Sequence, residues 1–322
     1  MDNCPFDGAG VPEIFDSGVQ AGGGEPPRIV YTRVYVLKYT YSITCKGCTQ
    51  MSIQIYYFSG TGNSLFVARE LQKRLPHAEL IPIVSFFGKG KVKSAADTVG
   101  FVFPVHDFTL PIVVRQFIEK TDFSAATYLF AAATREGTVF DGFEKADKLL
   151  SKQGKKLNAY FTLNMPDNDA RKPGYQLPTV PQFEAMHQAA LQKLDAMQAV
   201  ISNKQDSREE DRGVTNQAKY KPTLDKCERK GGVQYFYADK SCVGCGLCRK
   251  VCLTGKIKMY GREPQWDKKV LCAMCFACMN YCPRKAVQAK SAGGEKSDSP
   301  NNPRYPHPYA TVEDIVMQKA NL

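Results

Sequence analysis

The sequence lacks any apolar run able to span a bilayer. Its most apolar early stretch, Ile29 to Thr44, is broken by Arg33 and Lys38 and falls short of the ~20 residues that a membrane helix needs. No membrane association is expected. The opening Met1-Asp2-Asn3 has no basic start, and Gly22 to Pro27 stand where a signal peptide keeps its apolar core, so a reducing cytoplasm is expected. Histidine is scarce at 4 residues and tryptophan occurs once. Cysteine is not scarce: there are 12 in 322 residues, eight of them between 242 and 282. Clustered cysteines in a chain this long suggest metal, whereas spread cysteines in a small secreted chain suggest disulfides. At 43% hydrophobic and 23% charged residues the composition is globular, which excludes a wholly disordered or fibrous protein, and the length leaves room for about two domains. Lys and Arg outnumber Asp and Glu by 43 to 32, a net charge of +11.

Residues 1–50 differ from the rest, with Gly22-Gly23-Gly24 and Pro26-Pro27 ahead of a short alternating stretch. They read as an N-terminal extension or a misassigned start, with the functional protein beginning at Met51. Cys45-Lys-Gly-Cys48 within them looks like a separate metal or redox pair, and Cys4 and Cys227 read as spare thiols. From 51 to 203 strand-like and helix-like stretches alternate. Apolar runs at 53–58, 80–84, 99–103, 128–133 and 157–163 have strand length and composition. Between them apolar residues recur at helical spacing: Leu65, Ala68, Leu71 or Gln72, Leu75; Val113, Val114, Phe117, Ile118; Phe143, Ala146, Leu149, Leu150; and Ala190, Leu194, Met197, Ile201. Five strands separated by helices predict parallel pairing through right-handed crossovers, hence an α/β fold with a doubly wound five-stranded parallel sheet. Residues 204–232 carry dense mixed charge and read as a linker, 233–290 as a small cysteine-rich domain, and 291–322 as a tail with a short helix near 312–318.

Ser59-Gly60-Thr61-Gly62-Asn63-Ser64 lies between the first strand and the first helix. Glycines let backbone N–H groups approach a phosphate, the helix start adds partial positive charge, and Ser59, Thr61 and Ser64 add hydroxyls. No Lys follows the glycines and Leu65 occupies the third position of the dinucleotide fingerprint, which excludes both the nucleoside-triphosphate and the dinucleotide loop. A monophosphate held by neutral donors remains. In this architecture ligands bind outside the carboxyl ends of the strands. The loops Pro104-Val105-His106-Asp107-Phe108-Thr109 and Thr134 to Thr138 are therefore expected to bracket a flat ring, with Phe108 stacking on it and amides near Gly137 addressing its oxygens.

The cysteines form two runs, Cys242, Cys245, Cys248, Cys252 and Cys272, Cys275, Cys278, Cys282, and each member of the first recurs 30 residues later, as does Ile257 in Val287. This is an internal duplication. In two-cluster proteins with this spacing the fourth cysteine of each run serves the other cluster. One 4Fe-4S cluster is accordingly assigned to Cys242, Cys245, Cys248 and Cys282, and the other to Cys272, Cys275, Cys278 and Cys252. Zinc would leave the third cysteine of each triplet redundant. Leu253 stands where the second run has Pro283, which predicts an altered cluster environment. Residues 233–290 hold eleven basic residues against three acidic. Each oxidised cluster with its thiolates brings roughly −2, so much of the basic excess offsets the cofactors and nucleic acid is not expected as a partner.

Tyr57 to Ser64 resembles the FMN-phosphate loop of flavodoxins, and Gly100-Phe101-Val102-Phe103-Pro104 resembles their third strand and ring-binding loop. With the two cysteine runs, residues 51–290 resemble the flavodoxin–ferredoxin fusion proteins of anaerobic bacteria. Met165-Pro166-Asp167-Asn168 looks like a segment that recurs in that family after the fifth strand. Family members often carry aromatic residues where His106-Asp107-Phe108 stand here. The resemblance implies a flavodoxin-like FMN domain, a small α+β ferredoxin domain with two 4Fe-4S clusters, and electron transfer between them in anaerobic metabolism. The expected partners are redox proteins such as an acidic ferredoxin or flavodoxin. Two other readings stay open: a flavin-dependent reductase of a small molecule, and a zinc-bound module using the basic surface on nucleic acid.

Overall fold

A computed structural model describes residues 52–106, 108–137, 141–209, 236–290 and 301–320. The extension with Cys4, Cys45 and Cys48, most of the charged segment with Cys227, and Asp107 and Thr138 lie outside the described residues. Chain contacts divide the protein between Cys48 and Thr49, and Thr49–Leu322 is one compact unit.

The first part alternates strand and helix: β1 (Ile53–Tyr57), α1 (Asn63–Arg74), β2 (Ala78–Pro82), β3 (Thr98–Pro104), α2 (Ile112–Lys120), β4 (Tyr128–Arg135), α3 (Gly142–Ser151), β5 (Ala159–Asn164) and α4 (Val180–Ser202). All neighbouring strands pair parallel, in the order β2-β1-β3-β4-β5. β3 and β4 are buried almost end to end, as expected of parallel strands covered on both faces. The buried positions of α2 and α4 are the apolar sets Val113, Val114, Phe117, Ile118 and Ala190, Leu194, Met197, Ile201. In α1 it is Leu71 that is buried while Gln72 is exposed. α4 starts with a capping box in which Gln182 N–H donates to Thr179 Oγ1 and Thr179 N–H donates to Gln182 Oε1, with Pro181 in its first turn, where a missing N–H costs nothing.

Two expectations change. The sheet has a sixth, two-residue edge strand, β6 (Ser207–Arg208), parallel to β5. It comes from the segment expected to be linker. The charges that suggested a solvated stretch instead bind the sheet edge: Glu209 accepts from Thr162 N–H at 2.8 Å and pairs with Lys193, while Lys204 pairs with Asp97 at 3.0 Å. Val92–Lys93 and Thr121–Asp122 also form a short parallel pair that no pattern announced. Among the described residues no helix is long and apolar enough to cross a membrane.

The cysteine-rich part comprises β7 (Phe236–Ala238), α5 (Leu247–Lys250), β8 (Ile257–Tyr260), β9 (Glu263–Trp266), α6 (Ala277–Asn280) and β10 (Val287–Ala289), with β8–β9 and β7–β10 antiparallel. The duplication extends to backbone torsion. Gly244, Gly246 and Gly255 have φ of 67°, 74° and 68°, and Met274, Phe276 and Lys285, each 30 residues on, have 54°, 56° and 51°. Glycine reaches that region freely, whereas the three side chains of the second half cost roughly 1–2 kcal/mol each. Leu253 is fully buried in a core that Val251, Ala273, Ala277 and Tyr281 share with Tyr56, Phe58 and Phe101 of the sheet. Its departure from the Cys-Pro pattern thus has a packing reason: its counterpart Pro283 is exposed. The tail ends in α7 (Val312–Met317), where Ile315 enters the same core.

A Cβ at Gly244 would stand 2.6 Å from the Arg262 carbonyl oxygen at an already left-handed φ. Gly244→Ala is therefore expected to lower stability by about 1–3 kcal/mol, read as a lower urea midpoint.

Candidate functional site

The loop 59–62 leaves β1 at the point where the chain order reverses, β2 lying on one side and β3 on the other. Such a switch point opens a crevice at the carboxyl ends of the strands. Gly62 takes φ 110° and starts α1 without a side-chain cap or an acidic residue in its first turn. The amides of Asn63 and Ser64 thus begin a helix with no intrahelical acceptor, and nothing negative competes for the positive helix end. Within the loop Gly62 N–H donates to Ser59 Oγ at 3.1 Å, and the Ser64 and Thr134 hydroxyls lie 2.8 Å apart. Asn63 Oδ1 is buried without a partner, an acceptor that a ligand hydroxyl would satisfy.

A cavity of about 180 Å³ opens on this loop, lined by Ser59, Gly60, Thr61, Asn63 and Ser64, by Pro104, Val105, His106 and Phe108, and by Thr134. Ten of the sequence-derived residues thus meet in one place. His106 N–H and Thr109 N–H each donate to the other's carbonyl, which folds the 105–109 loop tightly back, and the His106 ring stands edge-on to Phe58 at 5.7 Å. Two of the expected residues do not line the cavity. Gly62 is covered instead, since a Cβ there would lie 2.7 Å from His307 and 2.5 Å from Ala310. Gly137 has φ 125° with open space where its Cβ would be.

Arg135 and Glu136, from the loop expected to bracket the ring, line the cavity as well. Asp169, Arg171, Lys172 and Met274–Phe276, which no sequence pattern marked, complete the walls together with Pro166, Asp167 and Asn168. The 165–168 segment acquires a physical role. Asn63 Nδ2 donates to Pro166 O at 2.9 Å, Asn168 Nδ2 donates to Thr61 Oγ1 at 2.7 Å, and Asn280 Nδ2 of α6 donates to Asn168 O at 3.0 Å. Tyr305 N–H donates to Asn280 Oδ1 at 2.8 Å. One polar chain therefore joins the glycine loop, the segment after β5, the cysteine helix and the tail.

The tail clamps the loop from behind. Gln318, fully buried, accepts from Ser59 N–H at 3.1 Å and donates to Ser59 O at 2.8 Å. His307 N–H donates to Thr61 O at 2.7 Å, and Arg69 holds Asp314 with two bonds of 2.6 and 3.2 Å. The His307 ring stacks on Phe66 at 4.9 Å.

The eight cysteines fall into two groups. Burial raises the Cys248 thiol to about 11, and the neighbouring sulfurs that add to this are Cys282, Cys242 and Cys245; all four line one cavity. Burial raises Cys275 to about 12, with Cys272 and Cys252 adding to it, and pushes Cys278 well up, to which Cys275, Cys252 and Cys272 add, and after them Cys248 of the first group. All eight are free thiols. Among the described residues no three His, Cys, Asp or Glu side chains converge as for one metal ion. The second group touches the glycine loop: a Cβ on Gly60 would lie 2.0 Å from the Cys275 carbonyl oxygen and 2.7 Å from its Cβ.

Gly60→Ala must displace the Cys275 backbone. It is expected to cost about 1–3 kcal/mol and to loosen the cavity, seen as a lower urea midpoint and faster proteolysis of the tail. Burial, with His187 nearby, lowers His307 from 6.5 to about 4. Between those values the unfolded chain binds the proton more readily. The contribution is complete above pH 6.5 and lost as pH falls towards 4, and amounts to about 3 kcal/mol for a shift of that size. His307→Phe is expected to flatten this stretch of the stability–pH curve.

No family model matches the chain, and no curated protein matches it. Solved structures resemble part of the chain, among them the following two. One is the rubredoxin oxygen:oxidoreductase from the anaerobe Desulfovibrio gigas, at 16% identity and TM-score 0.26 over 46% of this chain and 37% of that protein. The chain thus spans little more than a third of that relative's length. The other is the two-electron reduced Megasphaera elsdenii flavodoxin, also at 16% identity and TM-score 0.26, over 44% of this chain and 98% of that one.

Proposed function

We propose that the protein is a cytoplasmic iron–sulfur flavoprotein that passes electrons between two 4Fe-4S clusters and FMN. The observation that carries this reading is the juxtaposition of two four-cysteine groups, each assembled across the repeat, with a phosphate-type glycine loop at a sheet switch point. FMN fits the loop by its monophosphate, with the amides of Asn63 and Ser64 and the hydroxyls of Thr61 and Ser64 as donors. Pro104 to His106, Phe108 and Thr134 would flank its ring. Four cysteines per group suit the corners of an iron–sulfur cube, whereas zinc would leave the third cysteine of each triplet redundant.

FMN, when bound, converts between one- and two-electron chemistry. The chain's own residues set the order of the sites. Cys275 abuts Gly60, so the group of Cys252, Cys272, Cys275 and Cys278 is the inner one. Cys245 is exposed, so the group of Cys242, Cys245, Cys248 and Cys282 is the outer one. Exposed Lys240, Arg249, Arg262 and Arg284 surround the Cys242–Cys248 loop, with Glu263 as the exposed acidic residue among them. That surface suits an acidic one-electron carrier such as a ferredoxin or flavodoxin, whose approach it would steer.

Anaerobic purification should return a brown protein with about eight irons, eight sulfides and one FMN per chain. Cys275→Ala should lose about half the iron and destabilise the chain, because cluster binding contributes to folding. A folded, colourless, iron-free protein would overturn the cluster reading, and steady NAD(P)H turnover on a small acceptor would favour a reductase.

A further inference from the structure

The duplicated halves supply identical ligands, but what stands beside the ligands differs. The fourth cysteine of each run, Cys252 or Cys282, is followed four residues later by Lys256 or Ala286. Ala286 is buried, and its amide donates to Cys282 Sγ at 3.2 Å. Lys256 is just as buried, at 1% exposure. It places an ammonium where the other half has a methyl group.

A buried lysine is uncommon, and a buried ammonium is tolerated only with acceptors and nearby negative charge. Its Nζ donates to the carbonyls of Asp267 and Val270, each at 2.5 Å. It faces the sulfurs of Cys272 and Cys252, anionic once they hold a cluster, and the carboxylate of Asp267, which already pairs with Lys258 at 3.1 Å. A second ammonium, Lys319 of the tail, donates to the carbonyls of Lys250 and Cys252 at 2.7 and 3.1 Å and faces Cys252 and Cys275. Both serve the inner cysteine group. The outer group faces Arg304 through Cys282, and that guanidinium also faces Asp239.

We propose that Lys256 makes the two cluster sites unequal, holding the inner site of Cys252, Cys272, Cys275 and Cys278 at a higher reduction potential than the outer site. The inference rests on the proposed cluster assignment. Taking up one electron adds one negative charge within the sulfur cage and moves no proton, and a fixed, desolvated ammonium favours the state with the added charge. With clusters held by both groups, an electron from a one-electron carrier protein at the exposed outer cysteines would pass downhill to the inner ones, the outer cluster being reoxidised as the inner is reduced. Half-buried Arg304 is shared between Cys282 and Asp239, and the exposed basic side chains near the outer group are screened by solvent, so neither matches the fully buried Lys256.

The test uses the full chain, loaded with clusters and handled without oxygen, in a mediated redox titration followed by electron paramagnetic resonance. Wild type should show two separate cluster midpoints. Lys256→Met should lower the higher midpoint towards the lower one, leave the lower one in place and retain about eight irons. Lys256→Arg, which keeps the charge, should leave both unchanged. Should Lys256→Met lose iron, Lys319→Met replaces it and should shift the same midpoint in the same direction by less. A single shared midpoint in wild type, two unmoved midpoints in an iron-replete Lys256→Met protein, or a fall of the lower midpoint alone would overturn the inference. A wild-type preparation without iron would defeat the cluster assignment instead.

Discussion

The close approach of the Cys275 backbone to Gly60 is the constraint on which the rest of the structure depends. Any side chain at position 60 would occupy the place of the Cys275 carbonyl. The absence of one lets the cysteine-rich part rest directly on the turn that ends β1. That contact makes one cysteine group inner and the other outer, and it closes the cavity above the sheet with Met274, Cys275 and Phe276. Glycine at this position thus gives a neighbouring backbone room that any other residue would take away.

The contact is held from several directions. The two parts share a hydrophobic core through Val251, Leu253, Ala273, Ala277 and Tyr281, which is why they form one compact unit and not two beads on a linker. A polar chain through Asn63, Pro166, Asn168, Asn280 and Tyr305 runs alongside. The tail then returns across 259 residues of sequence to pair Gln318 with both backbone groups of Ser59. Most of these bonds are buried, where a satisfied polar group is stabilising and an orphaned one is costly, so the loop, the cysteine helix and the tail act as one assembly.

Duplication explains the shape of the cysteine part and also its asymmetry. The same left-handed positions recur at 244/274, 246/276 and 255/285, so both halves follow one backbone path. The first half uses glycine there, while the second places Met274 and Phe276 against the cavity and accepts the torsional cost. Lys256 against Ala286 and Leu253 against Pro283 are further points where the halves diverge, and Leu253 packs into the core shared with the sheet.

Much of this was determined by the sequence alone. Periodicity marked the buried faces of α2 and α4 residue by residue, the run of Ser59 to Ser64 marked the glycine turn, and the 30-residue repeat marked the cysteine groups, because each is a local pattern with a local physical cause. The edge strand at Ser207–Arg208 was hidden because charges that neutralise a sheet edge look, in one dimension, like charges that face water. The roles of Asn168, Asn280, His307 and Gln318, and the nearness of Cys275 to Gly60, were likewise invisible. They depend on which residues distant in sequence become neighbours, and only the packing of the two parts and the returning tail decided that.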